Sequence, residues 1–278
     1  MAKVRLDNLV YSRGLAESRE KARAMIMAGE VAIAGETGYK PGARVDENAE
    51  LAVELRRSKY VSRGGYKLEG AIKEFGLDFD GKVVLDVGAS TGGYSDCALQ
   101  NGAARIFALD VGYGQLDWNL RNDPRVVVLE RTNIRYFDPA RLGGPVDIIT
   151  MDVSFISTRL IFPVLADMLK DGGEVVSLIK PQFEAGKDKV GKHGVVRDPK
   201  VHLEVLRECI DSASQAGLGL AALTYSPIKG PKGNIEYFIY LRKGPAQCDT
   251  NAALIEDTVR IAHSTLGGKT LGEDSNSQ

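Results

Sequence analysis

Two lysines and two carboxylates stand where separate elements begin or end. Lys67 lies at the mouth of a helix, Asp152 follows the apolar run 146–151, Lys180 closes the run ending Leu178-Ile179, and Glu236 opens a last apolar stretch. A lysine at the end of a buried strand is costly unless acids stand beside it. Two groups of each sign neutralise one another, and such a cluster beside a cavity is suited to holding and moving a proton. A second constellation lies in Val83-Val84-Leu85-Asp86-Val87-Gly88-Ala89-Ser90-Thr91-Gly92-Gly93-Tyr94-Ser95, an apolar strand that runs into a glycine-rich turn and then a helix. Ile106-Phe107-Ala108-Leu109-Asp110 is a second apolar strand, ending in an acid. Glycines let the backbone approach a ligand, and an acid at the next strand end binds ribose hydroxyls. The expected pocket takes a nucleoside-bearing cofactor, with Asp86, Gly88, Ala89, Ser90, Thr91, Gly92, Gly93, Asp110 and Asp152 around it.

The elements that must position these groups follow from periodicity. Strands are predicted at 83–87, 106–110, 126–129, 146–151, 174–179, about 218–226 and 235–242, with helices between them. One helix is capped by Asp198-Pro199-Lys200 and runs through Ala216. Alternating strands and helices imply a parallel sheet covered on both faces. The last two strands are joined by 227–234, which holds no helix, so they must be antiparallel neighbours. The expected fold class is α/β: a Rossmann-like sheet with a reversed last strand, similar to that of S-adenosylmethionine-dependent methyltransferases, plus a small N-terminal α+β domain. The turn Asp86 to Gly93 resembles their D-x-G-x-x-x-G-G form better than the dinucleotide G-x-G-x-x-G form. An acid just before the turn suits the ammonium of a methionine moiety and would repel a pyrophosphate.

The chain has 278 residues and a formal net charge of −1, room for one large domain and a small one. No apolar run is long enough to cross a bilayer, and the first residues lack the apolar core of a signal peptide. Cys97, Cys209 and Cys248 are too dispersed for a metal cluster or a disulfide framework, so a reducing cytoplasm is expected. His193, His202 and His263 are scattered, no catalytic metal is expected, and His202 is expected on an exposed helix surface. Residues 1–67 hold 13 Lys+Arg against 9 Asp+Glu, whereas the remainder holds 23 against 28. A basic front suggests a polyanionic partner. That front reads as a helix over 4–10, a second helix capped by Ser18 and ending at Gly29, and strands at 31–33, around Val45 and at 51–55. Arg5, Arg13, Arg19, Lys21 and Arg23 are expected to form one cationic face for a phosphate backbone. The domains are predicted at 1–55 and 61–246, with a hinge at 56–60, a C-terminal helix within 247–278 and a disordered tail after it.

The order Arg5-Leu6-Asp7, Ser18-Arg19, Ala22, Ile26, Gly29-Glu30-Val31 resembles the alpha-L RNA-binding module, although the usual Asn-Gly turn reads Ala34-Gly35 here. The order Lys67, Asp152, Lys180, Glu236 is similar to the tetrad of FtsJ-like ribose 2′-O-methyltransferases. With both parts in one chain, residues 1–244 resemble the TlyA family, most specifically in Val61-Ser62-Arg63-Gly64-Gly65-Tyr66-Lys67-Leu68, Met151-Asp152-Val153-Ser154-Phe155-Ile156-Ser157 and Lys180-Pro181-Gln182-Phe183-Glu184. The resemblance implies S-adenosyl-L-methionine as cofactor and ribosomal RNA or ribosomal subunits as partner, with a cytidine ribose as target. A ribose hydroxyl is a poor acid, and a partly desolvated lysine near a second cation is available as a neutral amine. Lys180 is therefore expected to be the base or proton acceptor and Lys67 the second cation, with Asp152 and Glu236 orienting both. Arg63, and Lys187, Lys189, Lys192 and Arg197 of the glycine-rich loop 184–197, are expected near RNA phosphates, with an ordinary mobile surface loop the competing reading of 184–197. Tyr113, Trp118 and Phe155 are candidates for stacking on adenine or a flipped base, with core packing the commoner fate of such rings. Two rivals remain. A membrane-lytic protein, as the hemolysin label of that family suggests, would need an amphipathic or spanning segment, which the sequence lacks. An RNA-binding protein with a dead methyltransferase domain would not need the four charged residues.

Overall fold

The computed structural model describes residues 3–27, 29–53, 58–191, 193–246 and 252–267. The chain divides into two units, 1–58 and 59–278. In the first, β1 (Lys3–Arg5) leads directly into α1 (Leu6–Ser12), followed by α2 (Arg19–Met27), β2 (Val31–Ile33), β3 (Arg44–Asp46) and β4 (Leu51–Val53). The expected helix over 4–10 thus begins two residues late. Val4 pairs with Val45 across an antiparallel β1–β3 ladder, a partner 41 residues away that local periodicity does not register. The second helix is capped as expected, with Ser18 Oγ accepting from the Lys21 amide at 3.1 Å. Leu6, Val10, Ala22, Met25, Ile26 and Val31 pack as the core of this unit. Of the strand expected at 51–55, Glu54 and Leu55 lie outside the described residues, as do Arg56 and Arg57 of the hinge. The hinge does not extend to residue 60. Lys59 and Tyr60 belong to the second unit, and Tyr60 is buried in its core.

The second unit opens with α3 (Gly64–Phe75), β5 (Val83–Val87), α4 (Gly93–Gln100), β6 (Arg105–Leu109), α5 (Trp118–Arg121), β7 (Val126–Leu129) and β8 (Val146–Met151). It continues with α6 (Phe162–Leu165), β9 (Leu169–Ile179), α7 (Pro181–Glu184), α8 (Pro199–Gln215), β10 (Leu218–Tyr225), β11 (Tyr237–Lys243) and α9 (Ala252–Leu266). The strands form one sheet in the order β7-β6-β5-β8-β9-β11-β10. Only β11 runs against the rest: it is antiparallel to both β9 and β10, while the other pairings are parallel. The reversed last strand is as expected, but it is inserted inside the sheet, and β10 takes the edge. One face is covered by a core that includes Phe162, Leu206 and Ile255, the other by one that includes Leu68, Phe79 and Cys97. The tail beyond Gly267 and Cys248 lie outside the described residues. No described helix is long and apolar enough to cross a membrane.

His202 departs from the expectation of a surface position. It is fully buried. Its Nδ1 lies 2.7 Å from the Tyr237 hydroxyl and its Nε2 lies 3.0 Å from the Val196 carbonyl. Burial, the leading cause, pushes its pKa down to about 4, so it stays neutral. α8 is expected as observed, with Asp198 Oδ1 accepting from the Lys200 amide at 2.9 Å. Its fourth residue is nevertheless covered by β11 and by α9, whose His263 approaches to 3.3 Å.

Candidate active site

Strand register sets the site. Tyr237 of β11 pairs with Ile179 of β9, so Glu236 and Lys180 leave the sheet side by side. Met151 of β8 pairs with Val87 of β5 and Ser177 of β9, so Asp152 emerges at the same carboxyl edge. The first turn of α3 supplies Lys67. Its Nζ donates to Glu236 Oε2 at 2.6 Å and lies 3.7 Å from Asp152 Oδ2. Lys180 Nζ lies 2.6 Å from Asp152 Oδ1 and donates to Ser154 Oγ at 2.9 Å. All four expected residues therefore meet, as a chain Glu236–Lys67–Asp152–Lys180. Glu236 is fully buried and each lysine is 7 % exposed. Four charges are tolerable there because each ammonium has a carboxylate in contact. Gln182, named in the sequence only as part of the run Lys180–Glu184 and given no role there, donates from Nε2 to the second oxygen of Glu236 at 3.3 Å. Its place in that run, two residues after Lys180, was the available signal.

Two adjoining cavities open at this edge. The smaller, about 280 Å³, is lined by the lysines and Asp152 together with Ser62, Arg63, Ala89, Tyr94 and Lys229. The larger, about 480 Å³, runs past Asp110, Val111, Gln115, Asn133, Ile134, Val153 and Ile156. Gly88, Ser90, Asp152 and Ser154 border both. Asp110 stands at the strand end as expected, its carboxylate held by the Ser90 amide at 2.8 Å and the Gly112 amide at 2.7 Å. Gly88 has φ +85°, and a Cβ there would lie 2.8 Å from the Asp152 carbonyl oxygen, so the turn admits only glycine. Gly93 is required for close approach: a Cβ would press into Ser62 Oγ and lie 2.8 Å from the Gly65 amide nitrogen. The glycine pair opening α4 thus meets the pair opening α3, which is what brings Lys67 to the sheet edge.

Three expected cofactor contacts are placed differently. Asp86 is not presented to either cavity. It is fully buried, accepts from Ser95 Oγ at 2.6 Å and Thr150 Oγ1 at 3.2 Å, and burial raises its pKa to about 6. Side chains alternate along a strand, and position 86 faces inward against Ser95 of α4. Thr91 and Gly92 line neither cavity; the Thr91 carbonyl accepts from the Asp117 amide at 3.1 Å, and Gly92 caps α4 with φ +98°. Both shape the turn.

The expected cationic face is divided. Arg5 is taken up by Asp7, with bonds of 3.0 and 2.7 Å, and Arg13 by the Ala49 and Glu47 carbonyls at 2.7 and 2.5 Å. Arg19, Lys21 and Arg23 are exposed on α2. In the second unit Arg63 borders the smaller cavity and donates to the Lys229 carbonyl at 3.3 Å. Lys187 and Arg197 are exposed, Lys189 pairs with Glu204, and Lys192 lies outside the described residues. The loop is tethered, with Asn234 Oδ1 accepting from the Val196 amide at 3.1 Å and Nδ2 donating to the Gly194 carbonyl at 2.9 Å. Glu184 is no part of that loop. It is buried at the end of α7, where it accepts from the Thr158 amide at 2.7 Å and Ser157 Oγ at 2.5 Å, and so fixes the segment after Asp152. Among the three aromatic candidates, Tyr113 and Trp118 are exposed, and Arg131 stacks over Tyr113 at 4.2 Å. Phe155 is 91 % exposed at φ +65°, beside the larger cavity, with the Phe183 ring 5.1 Å away. Among the described residues, no group of three or more His, Cys, Asp or Glu side chains is placed to hold a metal ion.

A parallel sheet with one reversed strand inserted beside its edge, and a nucleoside-sized cavity at its carboxyl ends, defines the Rossmann-like methyltransferase class. Residues 60–243 match the FtsJ-like methyltransferase family and residues 4–51 the S4 domain. The chain belongs to the FtsJ-like methyltransferase family. It is 43 % identical to the 16S/23S rRNA (cytidine-2′-O)-methyltransferase TlyA of Mycobacterium tuberculosis, across 94 % of this chain and 97 % of that one. It is 49 % identical to a Bacillus subtilis protein provisionally named rRNA methyltransferase YqxC, across 96 % of each. A solved structure from Streptococcus thermophilus with a provisional hemolysin name is similar at a TM-score of 0.75 and 43 % identity, covering 95 % of this chain and 97 % of that one.

Proposed function

We propose that this protein transfers a methyl group from S-adenosyl-L-methionine to the 2′-hydroxyl of a cytidine in ribosomal RNA. The observation that carries this reading is the chain Glu236–Lys67–Asp152–Lys180, set where the two cavities join. The residues present fit the cofactor. Asp110 suits ribose hydroxyls, the apolar side chains of Val111, Ile134, Val153 and Ile156 suit an adenine, and the bare backbone at Gly88 leaves room for the methionine portion. When bound, the cofactor supplies a methyl group already activated by its sulfonium.

The protein's part is alignment and proton transfer. The ribose hydroxyl enters the smaller cavity beside Lys180, whose ammonium first gives up a proton to solvent and then, as the free amine, takes the proton of the hydroxyl. The hydroxyl gives its proton to Lys180, and its oxygen would gain the methyl group that the bound cofactor supplies, in exchange for the bond that methyl makes to sulfur. Asp152 holds the amine, while Lys67, itself held by Glu236, keeps Asp152 in place. Phe155, exposed at the cavity rim, stacks on the displaced base. Arg19, Lys21 and Arg23 of the S4 domain, with Arg63 and Lys187 of the second unit, contact phosphates. A ribosomal substrate places the reaction in the cytoplasm.

The test is incubation with labelled cofactor and isolated ribosomal subunits, followed by mapping of the methylated ribose. Label on one cytidine 2′-oxygen is expected. Cofactor binding by calorimetry without any transfer would favour the inactive-domain reading, and leakage from liposomes without cofactor would favour the lytic one. Lys180→Ala is expected to abolish transfer at every pH; substantial remaining activity would remove Lys180 as proton acceptor.

A further inference from the structure

We infer that Ser154 is a positioning residue that fixes the direction in which Lys180 accepts its proton, an inference that rests on the methyl-transfer reading above. An ammonium has three N–H directions around nitrogen. At Lys180 one is directed to Asp152 Oδ1 at 2.6 Å and a second to Ser154 Oγ at 2.9 Å. The Phe183 ring lies 5.8 Å from Nζ and offers only its π face. The third direction is the one left for the smaller cavity, which Lys180, Asp152 and Ser154 all line. When the amine is neutral it keeps two N–H groups and one lone pair. Two fixed acceptors hold the two N–H groups, so the lone pair has to occupy the third direction, toward the entering hydroxyl.

With Asp152 alone, Nζ would rotate about that single contact, and the lone pair would sweep past the substrate. A second acceptor removes this freedom. Ser154 is suited to the task because its oxygen is borne two residues after Asp152, on a segment that Glu184 anchors through Ser157 and Thr158. Ser154 itself is exposed, so losing its hydroxyl leaves the fold intact.

The experiment compares wild type, Ser154→Ala and Ser154→Thr in methyl transfer to isolated ribosomal subunits, with cofactor and RNA each varied to saturation. Ser154→Ala is expected to lower kcat by about tenfold to a hundredfold, with the KM for RNA within about twofold of wild type. Ser154→Thr, which keeps the hydroxyl, is expected to recover most of kcat. A wild-type kcat in Ser154→Ala at saturating cofactor would overturn the assignment, as would a threonine variant no better than alanine. A wild-type protein that methylates a base, or nothing, would overturn the underlying reading instead, and the two failures are separated by the wild-type arm alone.

Discussion

Asp86 and His202 show how burial sets the charge of a single residue. Asp86 has two hydroxyl donors, yet desolvation outweighs them and raises its pKa to about 6. An acid whose folded pKa exceeds its unfolded value stabilises the fold below about pH 4, and that contribution is lost as pH rises through 6. His202 has the opposite sign. Its lowered pKa gives stability that is present above about pH 6.5 and lost as pH falls toward 4. Other shifted carboxylates, such as Asp7 and Glu69, also titrate as the pH falls, so a variant is needed to isolate either contribution. Asp86→Asn keeps polar contacts to Ser95 and Thr150 without the charge. Its stability relative to wild type is expected to climb between pH 4 and 6, by about 3 kcal/mol at most. Urea unfolding at several pH values reads this directly, and a constant difference across the window would contradict it.

At the scale of elements, the site depends on how closely α3 approaches α4. Gly93 lies against Ser62 and the Gly65 backbone, and Gly65 in turn leaves room for the Tyr60 ring. Gly93→Ala would push the first turn of α3 outward. The expected cost is about 1–3 kcal/mol of stability, as for other overpacked contacts. Methyl transfer should fall further than stability alone explains, because α3 carries Lys67. Denaturant unfolding and kcat, measured on the same preparation, check both. An alanine variant with wild-type kcat would mean that the position of Lys67 is not set by this contact.

At the scale of the molecule, each unit has a core of its own. The apolar cluster around Leu6 and Ile26 contains only residues of the first unit, and those around Phe162 and Leu68 only residues of the second. Residues 59–278 are therefore expected to fold alone and to bind S-adenosyl-L-methionine about as well as the full chain. Their affinity for ribosomal RNA should drop. Removing Arg19, Lys21 and Arg23 should also make the salt dependence shallower, by about two in the slope of log K against log salt. Filter binding across a salt series tests this; an unchanged slope would show that the first unit contributes no phosphate contacts.

How much of this was legible beforehand depended on whether the controlling interaction is local. The strands, the glycine turn, the Ser18 and Asp198 caps and the reversed β11 follow from periodicity and from a connection with no helix in it, and these are properties of neighbouring residues. The four charged residues were legible for the same reason, since each sits at the end of a recognisable element. The sidedness of Asp86, the burial of His202 and Tyr60, the strand at Lys3–Arg5, and the parts taken by Ser154, Gln182 and Glu184 were not. Each depends on a side chain or backbone that packing brings from elsewhere, such as Ser95 and Thr150 on Asp86 or Tyr237 and Val196 on His202. Sequence alone determined which groups reach the edge of the sheet. Only the tertiary structure decided which way each one faces and what it touches, because hydrogen bonds and desolvation act over a few ångströms between residues far apart in the chain.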